Sequence, residues 1–162
     1  MAGLKAAVIG LGVGTGHITA FRELGAEVAA ICDVNDKLLQ SVGDEHRVDS
    51  RYTDYRSLAE NDDIDVVSIC TPDHLHADPA VDMMESGKHI LVEKPLASSF
   101  ADIQRIAETA RRTRMKVSHG CQIRFGAVFQ EVKRALHDHE LIKVKLTLED
   151  RRPVSYTHLT LP

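Results

Sequence analysis

Four short stretches of this 162-residue sequence bring together residue types that can do chemistry. Glu93-Lys94-Pro95 sets a lysine beside a carboxylate at the end of an apolar run. A lysine held in a cleft can hydrogen-bond a substrate hydroxyl and lower the energy of the alkoxide developing there. The same three residues could also form a surface turn with a solvated charge pair. Thr71-Pro72-Asp73-His74-Leu75-His76, whose threonine stands 22 residues before Glu93, closes another apolar run and offers polar loop groups to a ligand. His74 and His76 beside Cys70 suggest a metal, but the spacing supplies no second ligand pair, so no zinc site is expected.

The third stretch is Gly10-Leu11-Gly12-Val13-Gly14-Thr15-Gly16, following an apolar run and opening a helix-like segment. Glycine lets backbone approach a phosphate closely, and a helix N-terminus offers free N–H groups and the positive end of a dipole. The pattern departs from G-x-G-x-x-G, because Thr15 stands where the third glycine belongs. Such a G-x-G-x-G loop also suits adenosylmethionine, or a turn that holds no ligand. Asp33, the fourth feature, lies 21 residues after Gly12 at the end of the second apolar run. An acid there accepts hydrogen bonds from the hydroxyls of an adenosine ribose and would repel a 2′-phosphate. Val34 and Asn35 bring no compensating arginine, which favours NAD over NADP. A helix-capping aspartate is the alternative.

These groups need elements to hold them. Leu4–Ile9 reads as a strand, Thr15–Leu24 as a helix up to Gly25, and Glu27–Cys32 as a second strand. A helix over about 35–42, a short strand near Arg51–Tyr52 and a helical turn over 55–60 follow. Asp65–Cys70 is almost wholly apolar, as befits a strand covered on both faces. Leu75–Ser86 reads as a helix closed by Gly87, and His89–Val92 as another buried strand. Ser99 with Asp102 forms a capping-box pattern that opens a helix to about Arg114, and Lys116–His119 is the next strand. Strand–helix alternation of this kind predicts an α/β fold, a parallel sheet wound on both sides. After Gly120 the rhythm changes. Phe125–His137 is amphipathic, and Leu141–Leu148 alternates apolar and polar residues like a strand of a half-solvated antiparallel sheet.

Composition narrows the classes. Hydrophobic residues make up 43%, enough for a folded core. Twenty Lys and Arg against 24 Asp and Glu leave a net charge of −4, so no basic surplus points to nucleic acid. No run reaches the roughly 18–20 apolar residues of a membrane helix. The stretch after Lys5 imitates a signal peptide, but its glycines weaken a helical reading. Cys32, Cys70 and Cys121 each lie in or next to apolar sequence, the pattern of buried, reduced thiols and a cytoplasmic location.

VIGLGVGTGH, AICDVND, DVVSICTPDHLHA, SGKHILVEKPLA and GCQIRF stand in an order and spacing that resemble the Gfo/Idh/MocA family, named for glucose–fructose oxidoreductase, inositol dehydrogenase and the rhizopine-catabolism protein. The resemblance runs from about Leu4 to Arg152. It implies an N-terminal Rossmann domain over 1–121, and over 122–153 the first helix and strand of an α+β domain for substrate and oligomerisation. It implies NAD as cofactor, a polyol or sugar as substrate, and a homo-oligomer when whole. Gly10, Leu11, Gly12, Val13 and Gly14 would line the pyrophosphate, and Asp33 the adenosine ribose. Thr71, Pro72 and His76 would lie toward the nicotinamide, Glu93 near its ribose, and Lys94 would be the catalytic lysine, touching substrate and cofactor. Gln122 and Arg124 would sit where the chain leaves the first domain. Members usually carry an acid/base histidine and an aspartate in the second domain. His137 and His139 do not match that motif, so the chain reads as a cofactor-binding portion without turnover of its own. A non-catalytic nucleotide-binding or regulatory module, and an adenosylmethionine-dependent methyltransferase, are the rival readings. The last nine residues, VSYTHLTLP, resemble the translation of a transposase-type sequencing adaptor, so Val154–Pro162 is expected to be a non-native tail.

Overall fold

The computed structural model describes residues 3–135. Two compact units divide the chain, Met1–Cys121 and Gln122–Pro162. The first contains six strands: β1 (Lys5–Ile9), β2 (Glu27–Cys32), β3 (Ser50–Tyr52), β4 (Val66–Ile69), β5 (His89–Val92) and β6 (Val117–His119). Between them run α1 (Leu11–Glu23), α2 (Asp36–Glu45), α3 (Ala77–Glu85) and α4 (Phe100–Thr113). Every strand pair is parallel, and the spatial order is β3-β2-β1-β4-β5-β6. The order reverses between β1 and β4, the switch point beside which ligands bind in sheets of this kind.

Period-two alternation builds both faces. Ala7 and Ile9 join Val67, Ile69, Ile90 and Val92 on one side, covered by Ala77, Ala80, Met83 and Met84 of α3 and Ile106 of α4. Val8 and Ile31 turn to the other side, where Leu11 and Ile18 of α1 and Leu39 and Val42 of α2 close over them. Helices on both faces explain why β1 and β4 carry scarcely a polar residue. One irregularity interrupts the ladder: Ala6 pairs with Val28 but Ala7 with Ala30, so β2 carries an extra residue at Ala29. Val28 and Ala30 consequently face opposite cores despite standing two apart.

Local signals account for most element ends. Asn35 caps α2 by accepting from Leu38 N at 3.3 Å. Ser99 caps α4 by accepting from Asp102 N at 3.1 Å, while its hydroxyl donates to the Asp102 carboxylate at 2.7 Å. Arg114 ends that helix with φ 62°. Two expectations shift. The first helix begins at Leu11 rather than Thr15, because Gly10 at φ 86° makes the whole turn by itself. The helix expected from Leu75 begins at Ala77, after a 3-10 turn over Asp73–Leu75. In the second unit, a 3-10 turn over Gln122–Phe125 leads into α5 (Ala127–Ala135), and the Arg124 guanidinium stacks 5.0 Å from the centroid of the Phe125 ring. His137, His139, the strand expected over 141–148 and the tail Val154–Pro162 lie outside the described residues. Among the described residues no helix is long and apolar enough to cross a membrane.

Candidate functional site

The last residues of the six strands stand level. Tyr52 pairs with Cys32, Cys32 with Ile9, Ile9 with Ile69, Ile69 with Val92, and Val92 with His119. The next residue of five strands is then fixed by one more ladder bond. Asp33 N donates to Tyr52 O (3.1 Å), Gly10 N to Cys32 O (2.8 Å), Cys70 N to Ile9 O (2.8 Å), Glu93 N to Ile69 O (2.9 Å) and Gly120 N to Val92 O (2.8 Å). Asp33, the glycine turn, the Thr71 loop and the Glu93 loop therefore begin on one line along the carboxyl edge. From β2 to β5 is three strand spacings, about 14 Å.

At the switch point the backbone itself makes the site. A Cβ on Gly10 would stand 2.7 Å from the Cys70 carbonyl carbon and 2.8 Å from Thr71 N, so only glycine lets β1 turn against the end of β4. Gly14 lies under the helix, where a Cβ would meet Val8 Cγ1 at 2.7 Å. Gly12 faces open space. The first N–H groups of a helix have no intrahelical acceptor. Here Leu11 N donates to Asp33 Oδ2 at 2.7 Å, and Asn35 N donates to Asp33 Oδ1 at 2.8 Å. Asp33 thus fixes the helix start and the turn after β2 at once. Leu11 contributes only its backbone here, since its side chain is buried in the core, whereas Val13 is exposed.

The loops after β4 and β5 are tied together by His76. Its ring is wholly buried; Nδ1 lies 2.7 Å from Pro95 O and Nε2 2.8 Å from Thr71 O. Both nitrogens are committed to the chain itself, so His76 braces the two loops instead of presenting a ring edge outward. Thr71 donates its hydroxyl to Leu75 O at 3.3 Å, and Pro72 is exposed. Lys94 and Pro95 are exposed and joined by a cis peptide bond. Glu93 is buried, and its Oε2 accepts from Lys94 N at 3.1 Å.

One participant escapes the motif reading. His17, on the second turn of α1, places Nδ1 2.8 Å from Ser68 Oγ and Nε2 3.2 Å from Glu93 Oε1. The only trace in the sequence is a histidine one position after the last glycine of the loop. Gln122 and Arg124 belong to the second unit, in its 3-10 turn. Cys121 corrects an expectation: it is exposed, whereas Cys32 and Cys70 are buried. It stands just beyond the last ladder bond of β6, which Gly120 N makes to Val92 O. Among the described residues no cluster of three or more His, Cys, Asp or Glu is arranged to hold a metal.

A protein-family model described as "Oxidoreductase family, NAD-binding Rossmann fold" matches residues 4–121. The inositol 2-dehydrogenase of Salmonella paratyphi B is 31% identical over 143 residues, covering 85% of this chain and 43% of that protein. An α-N-acetylgalactosaminidase of Shewanella oneidensis is 40% identical over 122 residues, covering 68% of this chain and 26% of the relative. The chain thus spans less than half the length of either. Among solved structures, the WlbA dehydrogenase of Bordetella pertussis, in complex with NADH and UDP-GlcNAcA, superposes with a TM-score of 0.79 at 25% identity, over 83% of this chain and 42% of that one.

Proposed function

The chain belongs to the Gfo/Idh/MocA oxidoreductase family through its NAD-binding Rossmann domain, and we propose that it is the NAD(H)-binding part of a dehydrogenase acting on a secondary alcohol of a polyol or sugar. The observation that carries this reading is the single line of strand ends, with Gly10 and Asp33 at one end and Glu93 and Lys94 at the other. The residues fit a dinucleotide. Gly12 is bare and open beside a helix N-terminus, where phosphate finds unpaired N–H groups. When bound, the nicotinamide ring supplies the carbon that accepts or gives a hydride.

The chain's own residues would then divide the work. Gly10, Leu11, Gly12, Val13 and Gly14 offer backbone to the pyrophosphate. Asp33, already oriented by two backbone N–H groups, accepts from the ribose hydroxyls and disfavours a 2′-phosphate, which selects NAD over NADP. Thr71, Pro72 and Glu93 shape the nicotinamide end, with His76 acting through the loops it braces. The Lys94 ammonium binds the substrate hydroxyl and stabilises its developing negative charge. Gln122 and Arg124 belong to the passage into a second domain begun by residues 122–153, which would take part in substrate binding and homo-oligomer formation, while 154–162 are not native.

Calorimetric titration tests the cofactor half: NADH binds this chain at least about ten-fold more tightly than NADPH, a difference of about 1.4 kcal/mol. Asp33→Ala narrows that gap, and equal affinity in the unaltered chain would count against the assignment. For the catalytic half, a protein carrying this chain at full family length is assayed at 340 nm against inositols, sugars and N-acetylgalactosaminides. There Lys94→Ala lowers kcat by about 10²-fold or more. Unchanged kcat would remove Lys94 from the reaction.

A further inference from the structure

We infer that His17 is a positioning residue for the nicotinamide end of the site, acting through Glu93 and linking that end mechanically to the helix that receives the pyrophosphate. The inference rests on the reading of the loop after β5 as the nicotinamide end and adds a residue to it.

With the His17 ring neutral, the hydrogen-bond chain runs in one direction. Glu93 Oε1, as a carboxylate oxygen, can only accept, so His17 Nε2 carries the hydrogen across the 3.2 Å contact. Nδ1 of a neutral ring is then an acceptor, and the Ser68 hydroxyl donates to it at 2.8 Å. Ser68 Oγ in turn receives the Cys70 thiol at 3.6 Å. That thiol keeps its proton at neutral pH, because burial pushes its pKa up to about 11, with the charge of Glu93 adding to the rise. The remaining Glu93 oxygen accepts from Lys94 N at 3.1 Å. Donors and acceptors match at each of these contacts.

Burial makes the line matter. Ser68 is fully buried, and the side chains of His17 and Glu93 are 13% and 10% exposed. With Ser68 sealed from solvent, the arrangement is no nucleophile relay. Its mechanical effect is to hold a carboxylate in one orientation. Gly120 closes the other side, since a Cβ there would stand 2.9 Å from Glu93 Oε1. His17 sits six residues after Leu11, whose N–H is part of the phosphate-facing turn. One rigid helix therefore carries both the pyrophosphate end and the clamp on Glu93. A carboxylate held this way is ready for the ribose at the nicotinamide side, and the backbone it grips is that of Lys94.

The test compares His17→Asn with His17→Gln in the 162-residue chain, titrated with NADH and with ADP. Asparagine can still meet Ser68 but falls short of Glu93, whereas glutamine reaches the position of Nε2. ADP reports the adenosine and phosphate end alone. We expect His17→Asn to weaken NADH about five- to ten-fold, the net scale of one hydrogen bond, and to leave ADP within about two-fold. His17→Gln restores NADH binding, and His17→Asn adds nothing in a Glu93→Gln background. Equal losses for NADH and ADP, unchanged NADH affinity, or additive effects with Glu93→Gln would each overturn the inference. If the unaltered chain binds ADP and NADH equally, the nicotinamide-end reading itself falls, and that is visible before any variant is made.

Discussion

At the scale of single residues, accessibility and burial separate groups that look alike in sequence. Burial pushes the Cys32 thiol up to about 12, with the nearby charges of Asp33 and Asp54 adding to it, and Cys70 up to about 11. Cys121 is exposed and lies 3.2 Å from His119 Nδ1. A disulfide reagent at pH 8 therefore labels one thiol of the native chain rapidly, and Cys121→Ser abolishes that phase. The other two react only on unfolding, since a thiol held protonated in a core is a poor nucleophile. The sign of the pH effect follows. Both buried thiols have pKa values raised above those of the unfolded chain, so their contribution to stability is complete below about pH 9. It is lost as pH rises through 11 to 12, and alkaline melting curves check this. Residue type and spacing were enough to single out Gly10, Asp33, Thr71 and Glu93, because each stands directly after an apolar run, with Lys94 one residue further on. They were not enough for His17, whose partners are 51 and 76 residues away, nor for the bracing place of His76 between Thr71 O and Pro95 O, which exists only once the loops meet.

At the scale of elements, the glycines of the first turn behave as two populations. Gly14 is packed against Val8, so Gly14→Ala forces α1 away from β1 and costs about 1–3 kcal/mol. Gly16 faces open space inside the same helix, and Gly16→Ala gains up to about 1 kcal/mol from helix propensity alone. Thermal melts of the two variants should move in opposite directions; a common direction would mean that the helix does not begin where it is described. The alternation of strands and helices was legible over the first unit, since period-two and helical patterns survive in the sequence. The start of α1 was not, because glycine reads as a turn by composition and only the contact with Cys70 confines the turn to Gly10.

For the molecule as a whole, ligand binding and stability are linked. A cofactor that binds only the folded chain raises stability by about 2.7 kcal/mol at a hundred times its dissociation constant. For a domain of this size, that shifts the melting temperature by roughly 10 °C. Saturating NADH produces such a shift and adenosylmethionine does not, while neither cofactor supports polyol turnover by the 162 residues alone. A shift with adenosylmethionine instead would revive the methyltransferase reading. The extra residue in β2 gives the whole arrangement its gauge. A strand advances about 3.3 Å per residue and reverses its facing at each step. Were Ala29 paired in a regular ladder, Ile9 would stand opposite Ile31 instead of Cys32, and the Asp33 carboxylate would move one rung beyond the turn it steadies and swing to the sheet's other face. A single surplus residue thus sets the tuning of the edge, much as the placing of a fret sets a pitch.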